Sequence, residues 1–387
     1  MHNNTVKSNK QKLAQAIALA VLSLSANQAY AANYSFSDLG TMTGPYSGYG
    51  ANGVNNLGQV TGYGTDANGN WAAIRWNGDK ATALPYGAGG ESAIGIGINT
   101  SGQIAGNNNY PAAADRSDAI RWDGATPVTL DNLGYGYVSV GIGINDQAQV
   151  VGLSWAGSSF HAVRWDGTAA TDLGTLGGES SQAWSINEAG QIVGNSNTLG
   201  DDANHATLWN GTSITDLGTL GGTNSGAITI NNLGQIVGSS FLADDATQHA
   251  VLWNADGSAP VDLGSFGSLG GVGSGAQAIN DAGLIVGYSQ LADDSFHAAL
   301  WDGSSIIDLN NYLPADLISA GWVLNQANAI SGNGIIVGWA GNTLNPDLGG
   351  SFKLTPATVP VPGAVWLFGS ALAGLIGAAR RKQAVAA

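Results

Sequence analysis

Cysteine is absent from the 387 residues of this chain, and charged residues make up only 10% of it. The first absence excludes a disulfide framework, thiol catalysis and thiolate metal sites. Basic residues are scarce outside the two ends, so that 6 basic and 27 acidic residues remain between them. The resulting net charge of −21 repels phosphate backbones and argues against nucleic-acid binding. The basic residues of the ends are Lys7, Lys10, Lys12, Arg380, Arg381 and Lys382.

Helical patterning is also missing, since no segment of helical period and length occurs between Ala32 and Thr355. Neither a Gly-x-Ser-x-Gly motif nor a phosphate-binding loop stands out. A hydrolase or lyase needs an activated acid–base pair, but the histidines of this region all belong to a repeated motif. We therefore predict no catalytic residues and interpret the histidines, with the repeated aspartates, as structural.

What the chain does contain is a motif, Ile-Asn-x-x-Gly-Gln-x-x-Gly, repeated with spacings of 44, 46, 42, 44, 49 and 51 residues. Two further markers, Ala-x-x-Trp and Asp-Leu-Gly, recur in step with it. The motif asparagines are Asn55, Asn99, Asn145, Asn187, Asn231 and Asn280, with Ser331 in a degenerate seventh copy. The tryptophans are Trp76, Trp122, Trp165, Trp209, Trp253 and Trp301, with Phe352–Leu354 as the altered seventh marker.

Each repeat offers four segments of strand length, named here a to d, which are rich in β-branched and aromatic residues and bounded by Asn and Gly turns. A period of 40 to 50 residues with four strands is typical of a propeller blade, whereas a parallel β-helix has shorter coils. The repeats begin with a lone d segment, Phe36–Gly40, and end with a c segment, Phe352–Thr355. Residues 34–355 therefore predict an all-β, seven-bladed propeller closed by an N-terminal strand.

The N-terminal 31 residues have the features of a secretory signal peptide: a basic start, an apolar run over Leu13–Leu24 and a cleavage site at Ala29 and Ala31. A single N-terminal anchor helix is the alternative. Cleavage predicts export through the Sec machinery of a bacterium, to the cell surface or beyond it.

A second apolar segment lies at the C-terminus, after a linker over residues 356–363. Residues 364–387 predict a transmembrane helix followed by the basic tail of Arg380, Arg381 and Lys382, which the positive-inside rule keeps cytoplasmic. This segment is either a permanent anchor or a sorting tag that holds the protein in the inner membrane only transiently.

Acidic pairs in the loops between segments b and c are the candidate binding residues: Asp201, Asp202, Asp244, Asp245, Asp293 and Asp294. Loops b–c and d–a of a propeller emerge at the same end, so we expect one acidic face. Clustered carboxylate and carbonyl oxygens suit Ca²⁺, for which Asp66, Asn68 and Asn70 are further candidates. The alternative is that these loops are solvated and bind nothing.

Residues 34–355 resemble the bacterial extracellular HAF repeat family, named for a His-Ala-Phe triplet. The resemblance lies in Asp172–Gly178, Ile186–Gly194 and His205-Ala206, although Thr207 and its equivalents replace the Phe. The family implies export and no defined activity.

Residues 359–382 resemble a PEP-CTERM sorting signal of the Val-Pro-x-Pro type, through Val359, Pro360 and Pro362, an apolar helix and the basic end. The usual Glu is replaced by Val361. This resemblance implies processing by an exosortase in a Gram-negative, biofilm-forming bacterium.

Three functions are compatible with these features. The first is a non-catalytic matrix or cell-surface interaction module, directed at exopolysaccharide or surface proteins. The second is a Ca²⁺-dependent adhesion or polysaccharide-binding protein, and the third is a propeller glycosidase or polysaccharide lyase. No cofactor is predicted apart from Ca²⁺ in the second case.

Overall fold

Seven four-stranded sheets make up the computed structural model, which describes residues 34–39, 47–65, 69–78, 80–110, 116–136, 138–267 and 271–357. Within each of six sheets, antiparallel strands follow one another in chain order. Neighbouring sheets pack on each other around a ring, and the last sheet contacts the first. The predicted all-β propeller with seven four-stranded blades is therefore confirmed.

Blades 1 to 3 are formed by β2 to β13. Blade 1 comprises β2 (Ser47–Val54), β3 (Val60–Thr65), β4 (Trp71–Asn77) and β5 (Lys80–Ala83). Blade 2 comprises β6 (Ser92–Ile98), β7 (Ile104–Asn109), β8 (Ser117–Asp123) and β9 (Thr126–Thr129). Blade 3 comprises β10 (Ser139–Ile144), β11 (Val150–Trp155), β12 (Phe160–Asp166) and β13 (Ala169–Asp172).

Blades 4 to 6 continue the same order with β14 to β25. Blade 4 comprises β14 (Gly177–Ile186), β15 (Ile192–Thr198), β16 (Asn204–Asn210) and β17 (Ser213–Asp216). Blade 5 comprises β18 (Gly221–Ile230), β19 (Gln235–Leu242), β20 (Gln248–Asn254) and β21 (Val261–Asp262). Blade 6 comprises β22 (Ser274–Ile279), β23 (Ile285–Gln290), β24 (Phe296–Trp301) and β25 (Ile306–Asp308).

Blade 7 combines strands from both ends of the described chain. It comprises β26 (Trp322–Ile330), β27 (Ile336–Asn342), β28 (Gly349–Pro356) and β1 (Tyr34–Asp38), with β1 beside β28. The predicted flanking apolar helices lie outside the described residues. Within the described part of the chain, no helix is long and apolar enough to cross a membrane.

The chain is helical at one place between the repeats, in two segments shorter than the sequence pattern could reveal. Between blades 6 and 7 the chain forms a 3₁₀ helix, Leu309–Tyr312, and a short α-helix, Ala315–Ser319. Asp308 caps the first of these by accepting a hydrogen bond from the backbone N–H of Asn310. A helix of five residues is too short to produce the periodic apolar pattern on which the prediction relied.

The glycine of the Ile-Val-Gly motif lies in strand b, opposite a β-bulge of strand a. In blade 5 the bulge falls between Ala227 and Thr229, and a Cβ added at Gly238 would collide with the carbonyl oxygen of Gly226. In each of the other six blades, a Cβ added at the equivalent glycine would also collide with a carbonyl oxygen of strand a. The motif therefore specifies a close backbone approach within each blade.

The turn between strands a and b requires a left-handed residue, and glycine occupies that place in six blades. Examples are Gly190, with φ of 77°, and Gly234, with φ of 77°. In blade 3 the residue is Ala148, with φ of 60°. An alanine in this conformation carries strain that glycine avoids.

The tryptophan of strand c forms the core between blades. Each of the six copies is at most 3% exposed, and Leu354, fully buried, takes the place in blade 7. Trp76 also donates an indole hydrogen bond of 2.8 Å to the carbonyl oxygen of Leu39. Burial of each indole side chain stabilises the propeller by about 1.5–3 kcal/mol or more.

The motif asparagines link the blades in a circle. The side-chain amide nitrogen of Asn187 donates to the carbonyl oxygen of Asn231, at 3.1 Å, and that of Asn231 donates to the carbonyl oxygen of Asn280, at 3.0 Å. Asn55, Asn99, Asn145 and Asn280 make the same contact with the next copy. All six asparagines are at most 5% exposed.

Each of these asparagines also holds its own turn. Asn231 accepts hydrogen bonds from the backbone N–H groups of Leu233 and Gln235, and its amide nitrogen donates to the side chain of Gln235. This explains why the motif pairs Asn with Gln four residues later. The turn role was predicted, but the link between blades was not.

The seventh link is built differently because Ser331 is too short to reach blade 1. Instead, the backbone N–H of Gly332 donates to the side-chain oxygen of Asn56 at 2.7 Å, and the side chain of Asn333 donates to the carbonyl oxygen of Asn56 at 3.0 Å. The junction between blades 7 and 1 thus has its own polar contacts.

Candidate functional site

The two ends of the ring differ in structure and in charge. We call them the b–c end, with the b–c loops and d–a connections, and the a–b end, with the a–b and c–d turns. Asp201 of a b–c loop accepts a hydrogen bond from the backbone N–H of Glu179, near the start of strand a, at 2.7 Å. The predicted position of b–c loops and d–a connections at one end is thereby confirmed.

The repeated histidines pair with the repeated aspartates across strands c and d. Nδ1 of His161 lies 2.8 Å from a carboxylate oxygen of Asp172, and Nδ1 of His205 lies 2.7 Å from that of Asp216. His249–Asp262 and His297–Asp308 repeat the arrangement. The same carboxylates accept the backbone N–H two residues later, at 2.8 Å for Asp172. These contacts are consistent with the structural role predicted for both residue types.

The alanine after each histidine connects the pair to the next blade. The backbone N–H of Ala162 donates to Oγ of Ser181 at 2.9 Å, and this hydroxyl donates to the carbonyl oxygen of Gly174 at 2.8 Å. Blades 4 and 5 repeat the bridge through Ser225 and Ser274. The three motifs that contain His-Ala, Asp-Leu-Gly and the strand-a serine therefore form one hydrogen-bonded unit.

The predicted acidic pairs lie exposed at the b–c end, but most of their carboxylates accept hydrogen bonds from their own loop or from the start of strand a. Asp245 accepts hydrogen bonds from the backbone N–H and the hydroxyl of Thr223, the latter at 2.7 Å. Asp244 accepts from the backbone N–H of Thr247 at 2.9 Å. Asp293 accepts from Ser295, and Asp202 is an exposed turn residue.

These hydrogen bonds stabilise the charged form of the carboxylates. The backbone N–H of Glu179 lowers the pKa of Asp201, and that of Thr223 lowers the pKa of Asp245. Asp201, Asp245 and Asp294 also have left-handed backbones, with φ of 60°, 51° and 64°. The main structural role of these three aspartates is therefore to form turns.

No group of three or more His, Cys, Asp or Glu side chains in the described residues is arranged to hold a metal ion. Of the further Ca²⁺ candidates, Asp66 and Asn68 lie outside the described residues, and Asn70 lies just before β4. The cleavage-site residues Ala29 and Ala31 and the sorting-signal residues also lie outside them: Val359, Pro360, Pro362, Arg380, Arg381 and Lys382.

The central channel, with a volume of about 490 Å³, is lined by strand a of every blade. Isoleucine is the commonest residue of its wall, with Trp184 on one side and amide side chains on the other. The amides are used between blades, because Asn52 donates to the carbonyl oxygen of Gly95 and Asn328 to that of Ala51. The channel therefore has few polar groups left to orient a ligand.

The blades differ most at the b–c end, in two side chains that we call the rim pair. One member follows the strand-b glycine, and the other precedes the repeated histidine in strand c. In blades 2, 4 and 5 the rim pair is polar and hydrogen bonded: Asn107–Ser117, Asn195–Asn204 and Ser239–Gln248.

In blades 6 and 1 the rim pair is aromatic. Tyr288 and Phe296 contact each other edge to face, with ring centroids 5.4 Å apart, and Tyr63 and Trp71 do so at 5.1 Å. Blade 7, between them, has Trp339 at the first position. Trp71, Phe296 and Trp339 are 41%, 44% and 41% exposed.

Sequence reasoning missed these aromatics, although aligning the seven repeats by their glycine and tryptophan would have found them. Side chains of that size are usually buried, so their exposure on three successive blades needs an explanation.

Comparison with known proteins supports the fold alone. The propeller domain of the trilobed protease from Pyrococcus furiosus matches with a TM-score of 0.51 at 11% identity, over 83% of this chain and 95% of that chain. A puromycin-hydrolyzing peptidase of Mycobacterium tuberculosis also gives a TM-score of 0.51, at 14% identity over 86% of this chain. This chain spans 53% of that peptidase.

No family model matches the chain, and no curated protein matches it either. The resemblances to HAF repeats and to a PEP-CTERM signal thus remain predictions. At 11–14% identity the solved structures carry no information on activity.

Proposed function

We propose that this protein is an exported, non-catalytic interaction module of the bacterial cell surface or extracellular matrix. One observation carries the proposal: the repeated side chains are engaged inside or between blades, whereas side chains that differ between blades lie at the b–c end, where Trp71, Phe296 and Trp339 are exposed. His161 and Asn231, for example, are held by Asp172 and Asn280. Binding residues are disproportionately found in such variable positions on a rigid scaffold.

The absence of catalysis is part of the proposal. Four His–Asp pairs occur in the same register on successive blades, so none is distinguished as an acid–base pair. His249 uses its second ring nitrogen as well, at 3.0 Å from the carbonyl oxygen of Val272. A hydrolytic site would need one asymmetric arrangement beside a ligand cleft.

Export and processing complete the proposal. Residues 1–31 act as the Sec signal peptide, and residues 359–382 act as a tag that an exosortase removes. The support is the order of motifs at each end of the sequence. Intact-mass measurement of the exported protein tests this: loss of both segments is expected, and a full-length mass contradicts it.

We also propose that β1 closes the ring. The backbone N–H of Leu39 donates to the carbonyl oxygen of Ser351 at 3.1 Å, and the ring of Tyr34 packs edge-on against Tyr312 at 5.2 Å. Leu39 is 1% exposed. Pairing of β1 with β28 supports this role, because it covers an edge that would otherwise be open.

Co-sedimentation with bacterial cells tests the interaction module. The exported protein is mixed with producing cells that make exopolysaccharide and, separately, with matched cells that lack it. We expect the protein to sediment with the first and to stay in solution with the second. Protein that stays in solution in both mixtures would overturn the proposed function.

A further inference from the structure

Three successive blades present aromatic rings at the b–c end, and together these rings form what we call the aromatic sector: Tyr288 and Phe296 of blade 6, Trp339 of blade 7, and Tyr63 and Trp71 of blade 1. Blades 2, 4 and 5 have amide and hydroxyl side chains at the same positions. In blade 3 the pair is Leu153 and Phe160, and Phe160 contacts Trp155 edge to face at 5.0 Å, but these three side chains are only partly exposed. At the two rim positions, exposed rings are therefore found on blades 6, 7 and 1.

Contacts through the backbone connect blade 6 to blade 7. The side chain of Asn325 donates to the carbonyl oxygen of Phe296 at 3.3 Å and accepts from the backbone N–H of Gly341 at 2.6 Å. Gly341 in turn lies against the indole of Trp339, since an added Cβ there would be 3.1 Å from the ring. Asn325 thus links the backbone of Phe296 to the strand that carries Trp339.

A similar path connects blade 7 to blade 1. Trp339 pairs with Ser351 across strands β27 and β28, and Oγ of Ser351 accepts from the backbone N–H of Ala51 at 3.0 Å. The preceding residue, Gly50, lies beneath the ring of Tyr63, because a Cβ there would collide with that ring. Hydrogen bonds therefore join the strands that carry the aromatic sector across both blade junctions.

The rings are held in place by the fold rather than by a ligand. In each edge-to-face pair the two rings hold each other in place. Trp339 lies over Gly341 and Gly349 and exposes 41% of its surface. A rigid aromatic surface loses little conformational entropy on binding.

Charge restricts what can bind here. Five of the six basic residues of the propeller lie at the a–b end: Arg75, Lys80, Arg121, Arg164 and Lys353. The sixth, Arg116, is paired with Asp118 at 3.0 Å. Blade 6 contributes Asp293 and Asp294 beside its aromatic pair. Carboxylate or sulfate groups would therefore be repelled from this end.

We propose that the aromatic sector binds a polysaccharide that lacks acidic groups, with sugar rings stacked on Phe296, Trp339 and Trp71. The C–H faces of a pyranose bury apolar surface against an aromatic ring, while hydroxyl groups at its edge stay free to form hydrogen bonds with water or with polar groups beside the ring. Rings that alternate with polar side chains fit a chain of sugars better than the continuous apolar core of a protein interface. The inference rests on the proposed interaction function and names its ligand class.

Immobilised hexasaccharides provide the test. The exported protein is applied to hexamers of uncharged sugars, of amino sugars and of uronic acids, and the binding constant of each is measured. We expect binding to uncharged or amine-bearing hexamers and none to uronates. Phe296→Ala, Trp339→Ala and Trp71→Ala each weaken binding by about tenfold or more, as for aromatic anchors in general.

The matched control is Gln248→Ala, which truncates the equivalent side chain in blade 5 and leaves binding unchanged. Phe296→Leu, which keeps apolar volume without a ring, guards against loss of folding in Phe296→Ala. Native-like binding by Phe296→Leu and Trp339→Ala would overturn the inference, as would binding confined to uronates or absent from all hexamers. If the protein then still co-sediments with exopolysaccharide-bearing cells, the proposed interaction function holds and only the aromatic sector is rejected as its binding site.

Discussion

The side-chain amide of Asn231 donates a 3.0 Å hydrogen bond to the carbonyl oxygen of Asn280, 49 residues away in the next blade. Because the same side chain also fixes its own turn, one residue couples the local hairpin to the ring. Asn231→Asp removes the donor and places a carboxylate beside carbonyl oxygens. We expect it to lower the free energy of unfolding by about 3 kcal/mol or more. Leu233→Ala, in the exposed part of the same turn, is the control in a denaturant titration; equal losses for both variants would contradict the role of the asparagine.

The strained alanine of blade 3 offers a stabilising change. Ala148 has φ of 60°, so Ala148→Gly relieves a backbone cost of about 1–2 kcal/mol, partly offset by the greater entropy of the unfolded chain. A net gain of up to about 1 kcal/mol is expected in thermal unfolding. Gly190→Ala is the reverse experiment, because an added Cβ there meets no atom within 4 Å. A lower melting temperature for Ala148→Gly would refute the strain argument.

Two glycines on neighbouring strands of blade 5, Gly226 and Gly238, should respond differently to alanine. Gly238→Ala drives a Cβ into the carbonyl oxygen of Gly226 and is expected to cost at least about 3 kcal/mol. Gly226→Ala meets no atom within 4 Å and should change stability by less than about 1 kcal/mol. The melting temperatures of the two purified variants test this prediction. Similar values would contradict the close approach of Gly238 to the carbonyl oxygen of Gly226.

Acid should weaken the His297–Asp308 contact. Burial of Asp308 tends to raise its pKa, but hydrogen bonds from His297 and Asn310 together lower it. A carboxylate with a lowered folded pKa contributes stability above its unfolded value of about 3.9 and loses it as pH falls through the folded value. Asp308→Asn should therefore cost about 1 kcal/mol at pH 7 and nothing near pH 2.

The control for this pH series is Asp316→Asn, which alters an exposed carboxylate on the short helix. Denaturant titrations at pH 7, 4 and 2 give the difference between each variant and the native protein. A cost of Asp308→Asn that is independent of pH would show that the charge of Asp308 is irrelevant.

Removal of the N-terminal strand tests the closure of the ring. Deleting residues 34–40 exposes the edge of β28 and removes the acceptor of the Trp76 indole, the carbonyl of Leu39. We expect a loss of more than about 3 kcal/mol and a tendency to associate through the open edge. Light scattering and thermal unfolding measure both effects. An unaltered melting temperature would mean that β1 does not close the ring.

Much of the fold could be predicted because each blade repeats its own local signals. The Asn and Gly of Asn231–Gly234 predict a turn, and the run Ile236–Gly238 predicts a strand, seven times over. The partner of Asn231 in the next blade could not be predicted, since spacing along the chain does not say which atoms meet across a junction. The helix Ala315–Ser319 was missed because one turn leaves no periodic pattern.

The candidate site was predicted less well than the fold. The acidic loops lie at the predicted end, but the sequence did not predict that Asp201 and Asp245 hold the backbone of strand a. Their binding to a cation stays a prediction. Phe296 and Trp339 drew no attention because an aromatic residue in a strand usually contributes to the core. Their exposure is a property of the assembled ring.

The order of strands in blade 7 has a mechanical consequence. β28, the last strand before the C-terminal segment, has β27 on one side and β1 on the other. A force applied to the chain beyond Pro356 therefore meets two rows of backbone hydrogen bonds at once, whereas a strand at the edge of a sheet would be peeled off along one row. A molecule pulled from its C-terminus thus takes the load on an interior strand of its last blade.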